Sequence, residues 1–199
     1  MHIKRIGFSA ILGIGILVLA AGSIVPSDQG QGRVRTFRSN GMLDYGLLTR
    51  ETPDFILKLV RSSQTVAALK PLGAAGFDFT PGGLLAERCF DGFYHLGDIN
   101  LRLRPGDTGD WKNFTTAAAR KPVSALPVKA PVLASADLGP SLGEGFPLKV
   151  VRTWLVENDR LVLRFEISNP TGNPVQIGGL GIPMVFNNAI NDRELEEAH

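Results

Sequence analysis

Residues that do chemistry are scarce in this chain. Its 199 residues include one cysteine, three histidines, two tryptophans and two tyrosines. The single cysteine, Cys89, excludes an intrachain disulfide, so the fold must rest on ordinary core burial. Beside Phe90 it reads as a small buried hydrophobe. His2, His95 and His199 fall near the start, in the middle and at the end of the chain, and no histidine or cysteine pair has metal-ligand spacing. Asp91, Asp107 and Asp110 lie in glycine-containing segments, but "PGDTGDW" lacks the ordered pattern of a calcium loop, and these residues read as solvated turns. No metal and no cofactor is expected. No serine stands in the strand-turn-helix setting of a nucleophile elbow. The 19 acidic residues allow many carboxylate pairs without specifying one, so no catalytic residue is assigned.

Charge of one sign is also missing. Two of the 21 Lys and Arg, Lys4 and Arg5, precede an uncharged run from Ile6 to Val25, and residues 1–22 contain no acid. That layout is a secretory signal peptide, with small residues at Ala20 and Gly22 ahead of cleavage before Ser23. The alternative is an uncleaved anchor, since about 20 apolar residues reach across a bilayer. In both cases Lys4 and Arg5 hold the N-terminus in the cytoplasm and the remainder goes outside. Residues 23–199 then carry 19 basic and 19 acidic residues, and no basic stripe is left for a nucleic-acid partner. The domain is expected to be secreted and extracellular, with membrane contact only through an uncleaved signal segment. Asn113-Phe114-Thr115 is an N-glycosylation acceptor, which places Asn113 and the loop around Trp111 toward solvent.

Apolar residues recur every second position in short runs separated by Gly, Pro, Asn and Asp, as half-buried strands do. Phe55, Leu57 and Leu59 share one face of "FILKLV". Leu161, Leu163, Phe165 and Ile167 share one face of "RLVLRFEIS", with Arg164 and Glu166 outward. "LKVVRTWLV" precedes that run across "ENDR" and forms a hairpin with it, placing Trp154 in the core. In "PVQIGGLGIPMVF" the phase changes between Ile177 and Leu180, which calls for a bulge at Gly178-Gly179. Residues 122–147 hold five prolines and read as loop or edge strand pinned to the surface by Val132, Leu133 and Leu138. Only "NDRELEEAH" reads as helix, and the chain stops inside it. The expected architecture is an all-β antiparallel sandwich over residues 23–199, cut short at its C-terminal end.

"DGFYHLGDINLRLR" holds a histidine, two aspartates, an asparagine and two arginines within fourteen residues. Strand alternation carried back from Ile99, Leu101 and Leu103 puts His95 on the inner face. It puts Asp98, Asn100, Arg102 and Arg104 on the outer one, so the two cannot form an acid-base dyad. Only a bulge at Gly97 would bring them together. Trp111, in a polar loop, is the best-placed aromatic for stacking on a sugar ring.

The runs "SSQTVAALKP", "FDFTPG", "YHLGDINLRLR", "TAAARKPV", "LASADL" and "IGGLGIPMVFNN", in that order, resemble the N-terminal region of domain-of-unknown-function family 5695, a family of large secreted proteins. The resemblance covers nearly all of residues 37–199. It implies a β-supersandwich preceding a helical toroid of the six-hairpin glycosidase kind, a layout found in polysaccharide-cleaving enzymes. No catalytic residue is carried onto the matched region, because in such enzymes the catalytic carboxylates usually lie in or beside the toroid, and that C-terminal helical domain is missing from the sequence. The expectation is a non-catalytic β-sandwich portion of a secreted glycoside-hydrolase-like protein, with a polysaccharide or glycan as its partner. The alternative is a stand-alone secreted carbohydrate-binding or cell-surface module.

Overall fold

Asn158 and Asp159 both take positive φ, 51° and 58°. These values at both central residues are what a two-residue I′ hairpin turn requires. In the computed structural model, which describes residues 6–11 (as backbone), 43, 46–73, 77–89, 92–118 and 120–186, this turn joins the two longest strands. The strands are β1 (Ile6–Ile11), β2 (Leu47–Glu51), β3 (Phe55–Val60), β4 (Val66–Pro71), β5 (Asn100–Pro105), β6 (Lys112–Thr115), β7 (Ser124–Ala125), β8 (Val132–Asp137), β9 (Lys149–Glu157), β10 (Arg160–Ser168) and β11 (Val175–Gly181). Two four-residue helices, α1 (Leu85–Arg88) and α2 (Gly139–Leu142), lie between them. The fold is all-β and every strand pair is antiparallel. No helix among the described residues is long and apolar enough to cross a membrane.

Three sheets share one core. The largest runs β1-β10-β9-β8-β7, and two three-stranded sheets run β11-β5-β6 and β2-β3-β4. Each turns its alternating apolar face inward: Leu57 and Leu59 from β3, Leu101 and Leu103 from β5, Val150 and Trp154 from β9, and Leu161, Leu163, Phe165 and Ile167 from β10 form a single buried cluster. Phe55 packs against it, and Glu166 faces solvent. The bulge expected at Gly178-Gly179 is present, as a register shift in the β11–β5 pairing between Ile177 and Gly179.

Residues 122–147, expected as loop or edge strand, include an edge strand, β7, but also enter the sheet's interior. β8 is an interior strand between β7 and β9, and Leu138 is fully buried. The prolines allow this because they bracket the strand: Pro131 immediately precedes it and Pro140 follows its end, so no ladder donor inside β8 is lost. β1 falls inside the segment expected to be a signal peptide, and its backbone pairs antiparallel with β10 from Ile6↔Ile167 to Ile11↔Val162. The rest of that segment, together with Asp91 and "NDRELEEAH", lies outside the described residues.

Glycine relieves the Cβ crowding that a side chain meets at positive φ. Asp159→Gly is therefore expected to raise stability by up to about 1 kcal/mol, read as a higher urea midpoint at unchanged slope. A lower midpoint would show that the turn is not under that strain.

Candidate functional site

Gly97 decides the geometry of the polar stretch. Its φ is +104°, and a Cβ there would lie 2.9 Å from Trp154 Cζ2 and 3.4 Å from Arg152 Nη1. The chain turns at this point, with the Asp98 N–H donating to the His95 carbonyl (3.1 Å), and β5 begins only at Asn100. Strand alternation therefore does not reach back to Asp98. Asp98 is fully buried, not part of an outer ladder as its parity implied. His95 does face inward, also with no exposed surface.

The Asp98 carboxylate is saturated with donors. It accepts from the His95 backbone N–H (2.7 Å), from Thr116 Oγ1 (2.7 Å), and from Arg120 Nη1 (3.0 Å) and Nη2 (2.6 Å). Arg120 Nη2 also donates to the Phe93 carbonyl. A second guanidinium enters from β9: Arg152 donates to the carbonyls of Gly97 (Nη1, 2.6 Å) and Ser63, and next to it Trp154 Nε1 donates to the Gln64 carbonyl (3.0 Å). Four separate segments meet here: the β3–β4 turn, the loop before β5, the loop after β6, and β9.

This interior holds two guanidiniums against one carboxylate. Burial pushes Arg152 down from the ordinary guanidinium range to about 10, opposed by the negative charge of Asp98 and reinforced by the positive charge of Arg120. At neutral pH Arg152 stays charged. Because its folded value lies below its unfolded one, the burial penalty is fully felt below about pH 10 and fades as pH rises above it toward the unfolded value. The Nε atoms of Arg120 and Arg152 and the Oε1 of Gln64 are buried without a hydrogen-bond partner. Asp98, His95, Arg120 and Arg152 are all buried, so the cluster acts on the fold's own loops: it supplies carbonyls and a carboxylate with donors where water cannot. Sequence reasoning missed Arg152 and Arg120. The first was open to detection, since it shares the parity of Val150 and Trp154 on an inward face. The second sits in a loop with no period to betray it.

The outer face of β5 is different in character. Arg102 and Arg104 project there, and Trp111, just ahead of β6, lies across them with its ring centroid 5.1 Å and 4.8 Å from the two guanidinium carbons. The indole reaches as far as β11, where a Cβ at Gly178 would fall 2.5 Å from two of its ring carbons. Arg104 Nε and Nη2 donate to Gln176 Oε1 (3.1 and 2.5 Å), and Gln176 Nε2 donates to Asp107 Oδ1 (2.5 Å). Trp111 keeps 36% of its surface exposed. Asn113 is exposed as well, on edge strand β6 and not in a loop, directly opposite Arg102 in register. Cys89 is buried with Val60 and Ala67. Among the described residues no three His, Cys, Asp or Glu side chains converge on a point where they could hold a metal.

Removing one partner of a buried ion pair leaves the other uncompensated, whereas removing a surplus ion does not. Asp98→Asn keeps the shape and is expected to cost about 3–5 kcal/mol. Arg152→Met, which takes away the excess cation and unpairs only two carbonyls, should cost less. Urea unfolding of both variants checks the order, and a reversal would mean that Arg152 is the principal tie.

No curated protein and no solved structure matches the chain. The model of a family of unknown function (DUF5695) matches residues 58–199, starting later than the resemblance read from the sequence. That span contains both the buried ion cluster and the Trp111 face, and the chain belongs to this family.

Proposed function

We propose that this chain is a non-catalytic β-sandwich portion of a larger secreted, glycoside-hydrolase-like protein, serving polysaccharide processing as scaffold and substrate contact. The observation that carries the reading is the state of β11. Ile177 stands opposite Leu103 and Leu180 opposite Leu101, so all four point to the same, inner side of the sheet. Leu101 and Leu103 are buried, yet Ile177 and Leu180 are 43% and 41% exposed, and Met184 and Phe186 just beyond are 46% and 41% exposed. A core-facing edge left open supports a further piece of protein packing there. The glycoside-hydrolase context rests on the resemblance of the sequence runs. The scaffold role is supported by the burial of Asp98, Arg120, Arg152 and His95.

The second reading, a stand-alone carbohydrate-binding or cell-surface module, is favoured by the exposure of Trp111 beside two arginines and two amides. The two readings differ at β11. An edge that awaits a partner makes the chain self-associate at high concentration, and Leu180→Glu abolishes this without unfolding the sandwich. A monomer at every concentration, for wild type and variant alike, favours the stand-alone module.

Export is tested in a eukaryotic secretory host. The expected product is a protein in the medium that begins at Ser23 and carries a glycan lost in Asn113→Gln. A secreted protein that retains residues 6–11 would instead keep β1 in its sheet and exclude cleavage. Incubated with a panel of plant and microbial polysaccharides, the purified chain is expected to release no reducing ends. Release that survives Asp98→Asn in folded protein would place catalysis somewhere outside the buried cluster.

A further inference from the structure

Arg102 and Arg104 sit two residues apart on one face of β5, and the ion pairs among the described residues, Arg120–Asp98 and Arg164–Glu157, include neither. Two like charges on one strand face repel unless something between them compensates. The Trp111 ring does so in part, since its π-face attracts both cations. Gln176 does so in part as well, by accepting twice from Arg104. What remains is the exposed guanidinium of Arg102 beside the aromatic surface, with the half-buried Arg104, tied to Gln176 through Nε and Nη2, adding its positive charge next to it. Residues 23–199 carry balanced charge, so this local excess is not a by-product of a basic protein.

We propose that the outer face of β5, built from Arg102, Arg104 and Trp111, binds acidic polysaccharide through the carboxylates of uronic acid units. The proposal rests on the reading of this protein as a polysaccharide-contacting one and names the class of sugar. A planar guanidinium matches a carboxylate with two parallel hydrogen bonds, a fit that a neutral sugar cannot use. The C–H face of the same pyranose ring lies on the exposed part of the indole. Gly178 is integral to the site: only a residue without a Cβ lets the indole reach across β5, and because the clash is with the far end of a side chain, a methyl group there displaces the ring and leaves the strand in place.

The test is affinity electrophoresis of the full chain, produced without glycosylation, in gels containing a polyuronate, a neutral polymer of similar length, or sulfated dextran. The expected result is retardation by the polyuronate alone, weakening as salt is raised. Arg102→Ala should weaken binding by about tenfold or more, Arg102→Lys, which keeps the charge but loses the fork, by less, and Arg104→Ala, which removes the neighbouring charge, should weaken it as well. Gly178→Ala, with no change of charge and an unchanged melting temperature, should also weaken it, while Lys129→Ala and Lys149→Ala, at exposed positions elsewhere, leave it intact. Equal retardation by the neutral polymer would overturn the acidic assignment and leave polysaccharide contact standing. Retardation by sulfated dextran alone would overturn the carboxylate assignment, and retardation by none of the three would overturn both this proposal and the reading beneath it.

Discussion

A carboxylate without access to water needs its surroundings to replace the hydration it has lost, and Asp98 meets that condition with four donors from three residues, His95, Thr116 and Arg120. Each donor belongs to a loop with no strand ladder of its own at that point: the turn before β5, Thr116 just past β6, and Arg120 four residues further on. Loops of this kind ordinarily lie on the surface because buried backbone needs partners. Here the partners are supplied from within, so the loops cross the interior between the sheets. Arg152 extends the same arrangement to the β3–β4 turn by donating to the Ser63 carbonyl, with Trp154 next to it donating to Gln64. The cost is the burial of a second guanidinium, whose loss of hydration lowers its proton affinity.

Wherever one local rule acted alone, the fold was legible in the sequence. Two-residue alternation identified the inward faces of β3 and β10, the Asn158-Asp159 pair identified their neighbouring hairpin, and the phase change around Gly178 identified the bulge. It failed where a single residue interrupts the rule. The alternation of β5 ends at Gly97, whose positive φ reorients everything before it, and Asp98 passes from the outer face to the interior through that one turn. Proline content misled in the opposite sense around β8, because what matters is the place of each proline relative to the strand and not their number in the window. The ion cluster itself could not be read, since Arg120 lies 22 residues from Asp98 and Arg152 lies 55 residues from Gly97. Such contacts are set by topology, which periodicity does not encode.

The first strand sets two demands against each other. As β1, residues 6–11 complete one edge of the five-stranded sheet by pairing along β10. In the export we propose, the same residues would be removed as the middle of a signal segment. β10 would then keep its pairing with β9 from Arg160 to Ser168, and its inward side chains belong to the shared core. Its other edge would be left open, flanked by Arg164 and Glu166. Charged side chains on an edge strand discourage pairing with another chain.

β5 joins the buried cluster to the outer face. Its inner side chains, Leu101 and Leu103, are locked in the core, its outer ones carry the Trp111 platform, and its first residues follow directly on Asp98. Ile99 is held on both sides of this junction, its N–H donating to Thr116 Oγ1 and its carbonyl accepting from the Thr116 N–H. The register that sets Arg102 against Asn113 and Arg104 against Gln176 is therefore fixed at the point where the ion pair closes. A rotation of β5 by one residue would exchange its faces and bury two arginines. The buried carboxylate thus has a consequence at the surface, since it holds the start of the strand in the one phase that leaves both guanidiniums outside and beside the indole.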